Sequence, residues 1–238
     1  MDFVTHPHRG LVSVIGEEAQ NFLQNIISND ITVLDSSPML HACLLTAQGK
    51  FLHDFYVTKT DNGYILECEG GERTLDLAKR LNMYKLRAKI TISAQEDIAI
   101  YATETTRTST RPQGIEKPFS EWDMARITRG EPHGSRDAEI GVSTLAELNL
   151  DETAVSYTKG CYVGQELVAR MHNRNLGKKH LVAARFKSSP PAWGEEIENT
   201  GFMRSSCGNL GLILMNRDRE TELRNTQNDD SEIYLLGL

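Results

Sequence analysis

Hydrophobic positions change period several times along the first hundred residues. Residues 11–15 read as a short strand ended by Gly16. Ala19, Phe22, Leu23, Ile26 and Ile27 then fall at i, i+3, i+4, i+7 and i+8, one face of a helix. Glu17 and Glu18 occupy its first turn, where the helix dipole favours acids, and Ser28-Asn29-Asp30 stops it. Residues 41–45 and 51–57 form a predicted hairpin around Thr46-Ala47-Gln48-Gly49-Lys50. Asp61-Asn62-Gly63 makes a second turn into a strand over 64–68. The stretch 72–81 is a predicted helix with Leu75, Ala78 and Leu81 inward, followed by strands at 89–92 and 97–101.

Residues 103–118, Thr-rich at their start, lack apolar periodicity and read as a loop or linker. Order returns at 122–127, and a polar stretch, 129–139, precedes a short helical piece at 144–148. The run Lys159-Gly160-Cys161-Tyr162-Val163-Gly164-Gln165-Glu166 is turn-forming, after which Leu167, Val168 and Met171 resume helical spacing. Cys161 and both glycines therefore belong at or just before a helix N-terminus. Strands at 180–186, 195–197, 201–207, 210–215 and 232–236 suggest a small antiparallel barrel or sandwich, with 217–231 polar and weakly patterned. Helices follow strands without strict alternation, so the predicted class is α+β with largely antiparallel sheet.

Composition adds limits. The chain has 238 residues, 39% hydrophobic and 25% charged, enough to build a core in one large domain or two compact ones. Its formal net charge of −7 argues against nucleic-acid binding by bulk charge. No run approaches the roughly 18 apolar residues of a membrane helix. The start of the chain carries neither an apolar signal core nor an Arg/Ser-rich presequence, so a cytoplasmic location is expected, or the mitochondrial matrix for a eukaryotic source. The four cysteines, 43, 68, 161 and 207, form no C-x-x-C pair, so reduced thiols and no metal site are expected. Phosphate-loop, dinucleotide and serine-hydrolase motifs are missing.

Three features could carry chemistry. Cys161 lies two residues from Lys159 and just before a predicted helix, a setting that stabilises a thiolate. The same pattern also describes a tight turn with a buried Cys and a surface Lys. Lys159, Arg170, Arg174, Lys178 and Lys179 could grip a carboxylate or phosphate tail, or simply form a solvated face. Asp54 and Glu147 each adjoin apolar residues. A carboxylate there could accept two parallel N–H donors from a pterin-like or guanidino-like ring, or stand exposed.

The 159–166 run, followed by Val168-Ala169-Arg170, closely resembles the signature of the YgfZ-type folate-binding proteins. These are relatives of the glycine-cleavage T-protein that act in iron–sulfur cluster assembly or repair. Phe22-Leu23-Gln24 with Asn29-Asp30, Leu45-Thr46-x-Gln48-Gly49-Lys50 with Asp54, Tyr84-x-Leu86-Arg87, and Arg126-Ile127-x-x-Gly130-x-Pro132 follow in the family's order, over about residues 9–215. His172-x-Arg174 resembles the branch associated with 4Fe–4S maturation.

The resemblance implies a ring of small lobes around a hole that binds tetrahydrofolate. Two α+β lobes would span 1–102 and 103–177, and a β-barrel-like lobe 178–238. It implies Cys161 and Lys159 as the reactive pair. Gly160, Tyr162, Gly164, Gln165, Glu166, Arg170, Asp54, Tyr84, Arg87 and Glu147 would contact the cofactor. The implied function is that of a folate-binding accessory factor, a monomer meeting iron–sulfur carriers and clients and touching an iron–sulfur cluster in transit. The alternative is folate-dependent one-carbon transfer to a protein or tRNA. Residues 67–74 do not carry the Asn-Ala-x-Asn-x-x-Lys-Asp stretch whose Asp serves aminomethyl transfer in T-proteins.

Overall fold

The structure is a computed structural model describing residues 2–103, 106–174, 176–228 and 230–237. Glu104 and Thr105 of the Thr-rich stretch therefore lie outside the described residues. Two compact units are present, each discontinuous in sequence: Met1–Phe119 with Thr153–Gln165, and Ser120–Glu152 with Glu166–Leu238.

The first unit is a seven-stranded sheet with two helices. Its strands are β1 (Asp2–Ile15), β2 (Leu40–Leu45), β3 (Phe51–Thr60), β4 (Gly63–Glu69), β5 (Thr91–Ala102), β6 (Arg107–Thr108) and β7 (Ile115–Lys117). They pair antiparallel in the order β2-β3-β4-β1-β5-β6, while β7 runs parallel beside the start of β1. Helices α1 (Ala19–Gln24) and α2 (Glu72–Lys85) cover one face. Strand alternation decides which residues meet them. Val12, Val14, Ala42, Leu44, Phe55, Val57 and Leu66 form a core with Phe22 and Leu23 of α1 and Leu77 and Leu81 of α2. His41, Asp54, Tyr56 and Glu67 occupy the alternate positions and point to the other face.

Several expectations need correction. The first strand starts at Asp2 rather than at 11, because Pro7 and positive-φ His8 fall at register shifts between His6 and Leu11 that hide the alternation. The two strands expected at 89–92 and 97–101 are the single strand β5. Along α2 the inward face is Thr74, Leu77, Ala78 and Leu81, and Leu75 faces solvent. Thr74 takes the inner place because its hydroxyl donates to the Glu69 carbonyl at 2.8 Å.

The second unit holds α3 (Phe119–Thr128, from Ser120 onward), α4 (Gln165–Arg174), α5 (Arg217–Thr226) and a curled antiparallel sheet. The sheet contains β8 (Lys179–Phe186), β9 (Glu196–Ile197), β10 (Gly201–Cys207), β11 (Leu210–Asn216) and β12 (Ile233–Leu235), ordered β12-β8-β11-β10-β9. Val182, Ala184, Phe186, Met203, Ile213, Met215 and Leu235 make its core. A buried guanidinium ties the rest together. Arg126 donates to Asp123 (2.6 Å), Asp137 (2.8 Å), the Glu131 carbonyl (2.9 Å) and Ser205 Oγ (2.7 Å). The polar 217–231 stretch contains α5, and the expected helical piece at 144–148 is a pair of turns.

Candidate functional site

The 153–165 segment is held to the first unit by polar contacts at its base. Ser28 Oγ donates to the Ala154 carbonyl at 2.6 Å and accepts from the Cys43 N–H at 2.8 Å. The Ser156 N–H donates to the Ser28 carbonyl at 3.1 Å. Lys159 is buried, and its ammonium donates to the carbonyls of Ile27 and Asn29, both at 2.8 Å. It also lies 5.2 Å from the centre of the Tyr162 ring. Burial lowers the Lys159 pKa to about 8 and pushes the Tyr162 phenol upward. Lys159 is thus an internal tether, committed to backbone oxygens.

Cys161 stands exposed on this anchored run, whereas Cys43 and Cys68 are buried and Cys207 is half-buried. Burial raises the Cys43 thiol well above its ordinary value and Cys68 to about 11, which makes both poor nucleophiles. The two motif glycines differ. Gly164 has φ +83°, and a Cβ there would lie 2.5 Å from the Thr46 carbonyl oxygen in the β2–β3 turn. Only glycine allows that approach. A Cβ at Gly160 would meet nothing within 4 Å. Gln165 opens α4 as expected, while Glu166 and Arg170 are exposed in the second unit.

A chain of polar contacts leads from Lys159 across the helix-free face of the first sheet. Asn29, whose carbonyl receives Lys159, donates through Nδ2 to the His41 carbonyl at 2.9 Å. The His41 ring lies 3.2 Å from Asp54 Oδ2 and stacks on Tyr56 at 4.6 Å with 17° between planes. Arg107 covers Tyr56 at 4.6 Å and donates to Glu67, which also accepts from Arg9 Nε at 2.6 Å. Glu67 is buried, yet its carboxyl sits below its ordinary range because two guanidiniums outweigh desolvation. The terminal nitrogens of Arg9 have no hydrogen-bond partner among the described residues.

Of the residues named from sequence, Asp54 lies on this face, Lys159 leads to it through Asn29, and Gly164 packs on the β2–β3 turn, while Gly160, Cys161 and Tyr162 belong to the same anchored run. Tyr84 and Arg87 line a cleft of about 440 Å³ beside α1 instead. Glu147 belongs to the second unit, where its carboxylate accepts from the Thr144 N–H at 2.7 Å and the Thr144 hydroxyl at 3.0 Å. His41, Tyr56, Glu67, Arg9 and Arg107 were missed. Parity was the available signal: on a strand that buries Phe55 and Val57, Asp54 and Tyr56 must share the opposite face. A third pair, His53 with Asp76 at 2.8 Å, links β3 to α2, and burial depresses the His53 pKa to about 4.

No protein-family model matches the chain. It is similar to the human mitochondrial iron–sulfur cluster assembly factor IBA57, 26% identical over 87% of this chain and 75% of that protein. A mitochondrial IBA57 homolog of Mycosarcoma maydis is 29% identical over 81% of this chain, which spans only 60% of that protein. Among solved structures, the glycine cleavage system aminomethyltransferase T of Bartonella henselae superposes with a TM-score of 0.69 at 12% identity, covering 90% of this chain and 78% of that one. The fold of this chain is therefore that of the glycine-cleavage T-protein, an α+β architecture with two curled antiparallel sheets.

Proposed function

We propose that this protein acts in iron–sulfur cluster assembly, with Cys161 as the thiol that meets the cluster in transit. The observation that carries the reading is the exposed Cys161 on a run fixed from below by Lys159. Its relatives by sequence are named for cluster assembly, in support. One Cys is a single ligand where a cluster takes several. Among the described residues no three His, Cys, Asp or Glu side chains group to hold a metal ion, so a carrier or client protein supplies the other ligands. The relatives are mitochondrial by name, which favours the matrix over the cytoplasm as the setting.

The second part of the proposal is a reduced folate on the polar sheet face. The donor set fits the group: Asp54 offers a carboxylate, Arg9 offers N–H donors, and Tyr56 and His41 present flat rings. A pterin carries both donors and acceptors on a planar ring, so it needs such a mixed lining. When bound, folate would supply a one-carbon carrier. The protein's own part is to hold the ring through Asp54 and to keep the Cys161 run in place through Lys159. Calorimetric titration with tetrahydrofolate tests this directly. Asp54→Asn is expected to weaken binding about tenfold, and Cys161→Ser to leave it unchanged. Cells carrying only Cys161→Ser are expected to lose iron–sulfur enzyme activities. Normal activities there would remove the thiol from the mechanism, and absence of saturable folate binding would remove the cofactor.

A further inference from the structure

Four large apolar side chains are exposed along and just beyond α2: Leu75 (48%), Met83 (70%), Tyr84 (38%) and Leu86 (88%). Tyr84 and Leu86 line a cleft of about 440 Å³ together with Phe22, Ile26, Arg87 and Val163, and Met83 stands next to them in sequence. Leu86 is held at φ 46°, ψ −109°, a backbone conformation that a leucine rarely adopts. Strain of this kind, spent on keeping a leucine in water, marks a functional surface.

The charge around this patch is one-sided. Between positions 77 and 95 the chain has no Asp or Glu but carries Lys79, Arg80, Lys85, Arg87 and Lys89, against a net charge of −7 overall. Arg80 is paired with Asp76 at 2.7 Å. The side chains of Lys79, Lys85, Arg87 and Lys89 have no carboxylate partner among the described residues. Elsewhere in the same unit, Lys59, Arg111 and Lys117 each have one. The one acid on the cleft wall, Glu18, is already engaged, accepting from the Lys89 N–H at 2.5 Å.

We infer that this basic-rimmed apolar surface docks an acidic amphipathic helix of a partner protein. The extent of the surface favours a macromolecule over a small ligand. Met83 is 70% exposed and lies outside the cleft lining, and Leu86 on the cleft edge is 88% exposed, so the apolar surface continues beyond the cleft itself. Exposed apolar side chains beside an open groove suit a helix face, and the unpaired cations select its flanking acids. Neither Cys161 nor Asp54 takes part in this docking, so it stands or falls separately from the proposed function.

The test uses the whole protein and a labelled synthetic helix of about 16 residues, roughly four turns, with leucines on one face and glutamates on its flanks. Fluorescence anisotropy is expected to show saturable binding that weakens with salt. Affinity should drop about tenfold or more in Met83→Ser/Leu86→Ser and in Lys85→Glu/Arg87→Glu. A matched helix with lysines in place of glutamates should not bind. The two variants change exposed positions, and unchanged circular-dichroism melts will show that each still folds. No saturable binding of the acidic helix, or equal binding by both variants, overturns the inference. So does displacement of the helix by tetrahydrofolate, which would make the cleft a small-molecule site. Sedimentation showing self-association that vanishes in Met83→Ser/Leu86→Ser would assign the surface to a second copy and overturn it as well.

Discussion

Gly160 and Gly164 lie four positions apart in the same motif, and the structure asks opposite things of them. Replacing Gly164 with Ala forces a side chain at φ +83° into the Thr46 carbonyl and is expected to cost more than about 2 kcal/mol. Gly160→Ala meets open space and should stay within about 0.5 kcal/mol of the parent. Urea melts of the two variants check the contrast. Lys159→Met keeps the chain length but strands the carbonyls of Ile27 and Asn29, with an expected loss of about 1–3 kcal/mol. His53 gives a dependence on pH. Its folded pKa of about 4 lies below the ordinary 6.5, so as pH falls between those values the unfolded chain binds a proton that the folded one refuses. Stability should therefore fall with acid across that window, by about 3 kcal/mol in all. Asp76, itself held below its ordinary range, adds a loss at lower pH. Melts of the parent and of His53→Gln would show it: the parent curve slopes, the variant is flatter, and equal slopes would contradict the assignment.

At the scale of elements, strands that bury one face were readable and helices without an apolar face were not. The hairpin of β2 and β3, and β8, β10 and β11, fall where the sequence pattern put them: β3 and β8 set apolar residues at every second position, β11 is a near-continuous apolar run, and glycines bound β10. Helix α5 has no buried residue and shows no apolar period to read. It is held instead by its ends and sides. Asn216 caps it by accepting from the Asp218 N–H, and Arg224 pairs with Glu220, which also meets His180 at 2.6 Å. Asn216→Ala should therefore destabilise the second unit by about 1 kcal/mol, measurable as a lowered melting temperature, while Leu75→Glu on the exposed side of α2 should leave the stability of the first unit nearly unchanged. The Leu75 misreading has a clear cause: a helix whose inner face begins with a polar Thr74 shifts the apparent apolar stripe by one residue.

For the whole molecule, the sequence motif around Cys161 could be found but not its anchoring, because the partners of Lys159 lie some 130 positions away and are main-chain carbonyls. No side-chain pattern announces a carbonyl acceptor. The same long-range return makes the first unit incomplete without residues 153–165. A fragment ending at Phe119 should melt at a lower temperature and less cooperatively than the intact unit, because Ser28 and the carbonyls of Ile27 and Asn29 lose their partners. Adding a peptide of residues 153–165 should recover part of the loss by circular dichroism. This discontinuity also sets a clock during biosynthesis. After Phe119 has been made, another 165 − 119 = 46 residues must follow before Gln165 exists. At about 5–20 residues per second, that is roughly 2–9 s in which the nascent first sheet waits with its 153–165 contacts unmade. Chaperone engagement during translation should concentrate in that interval.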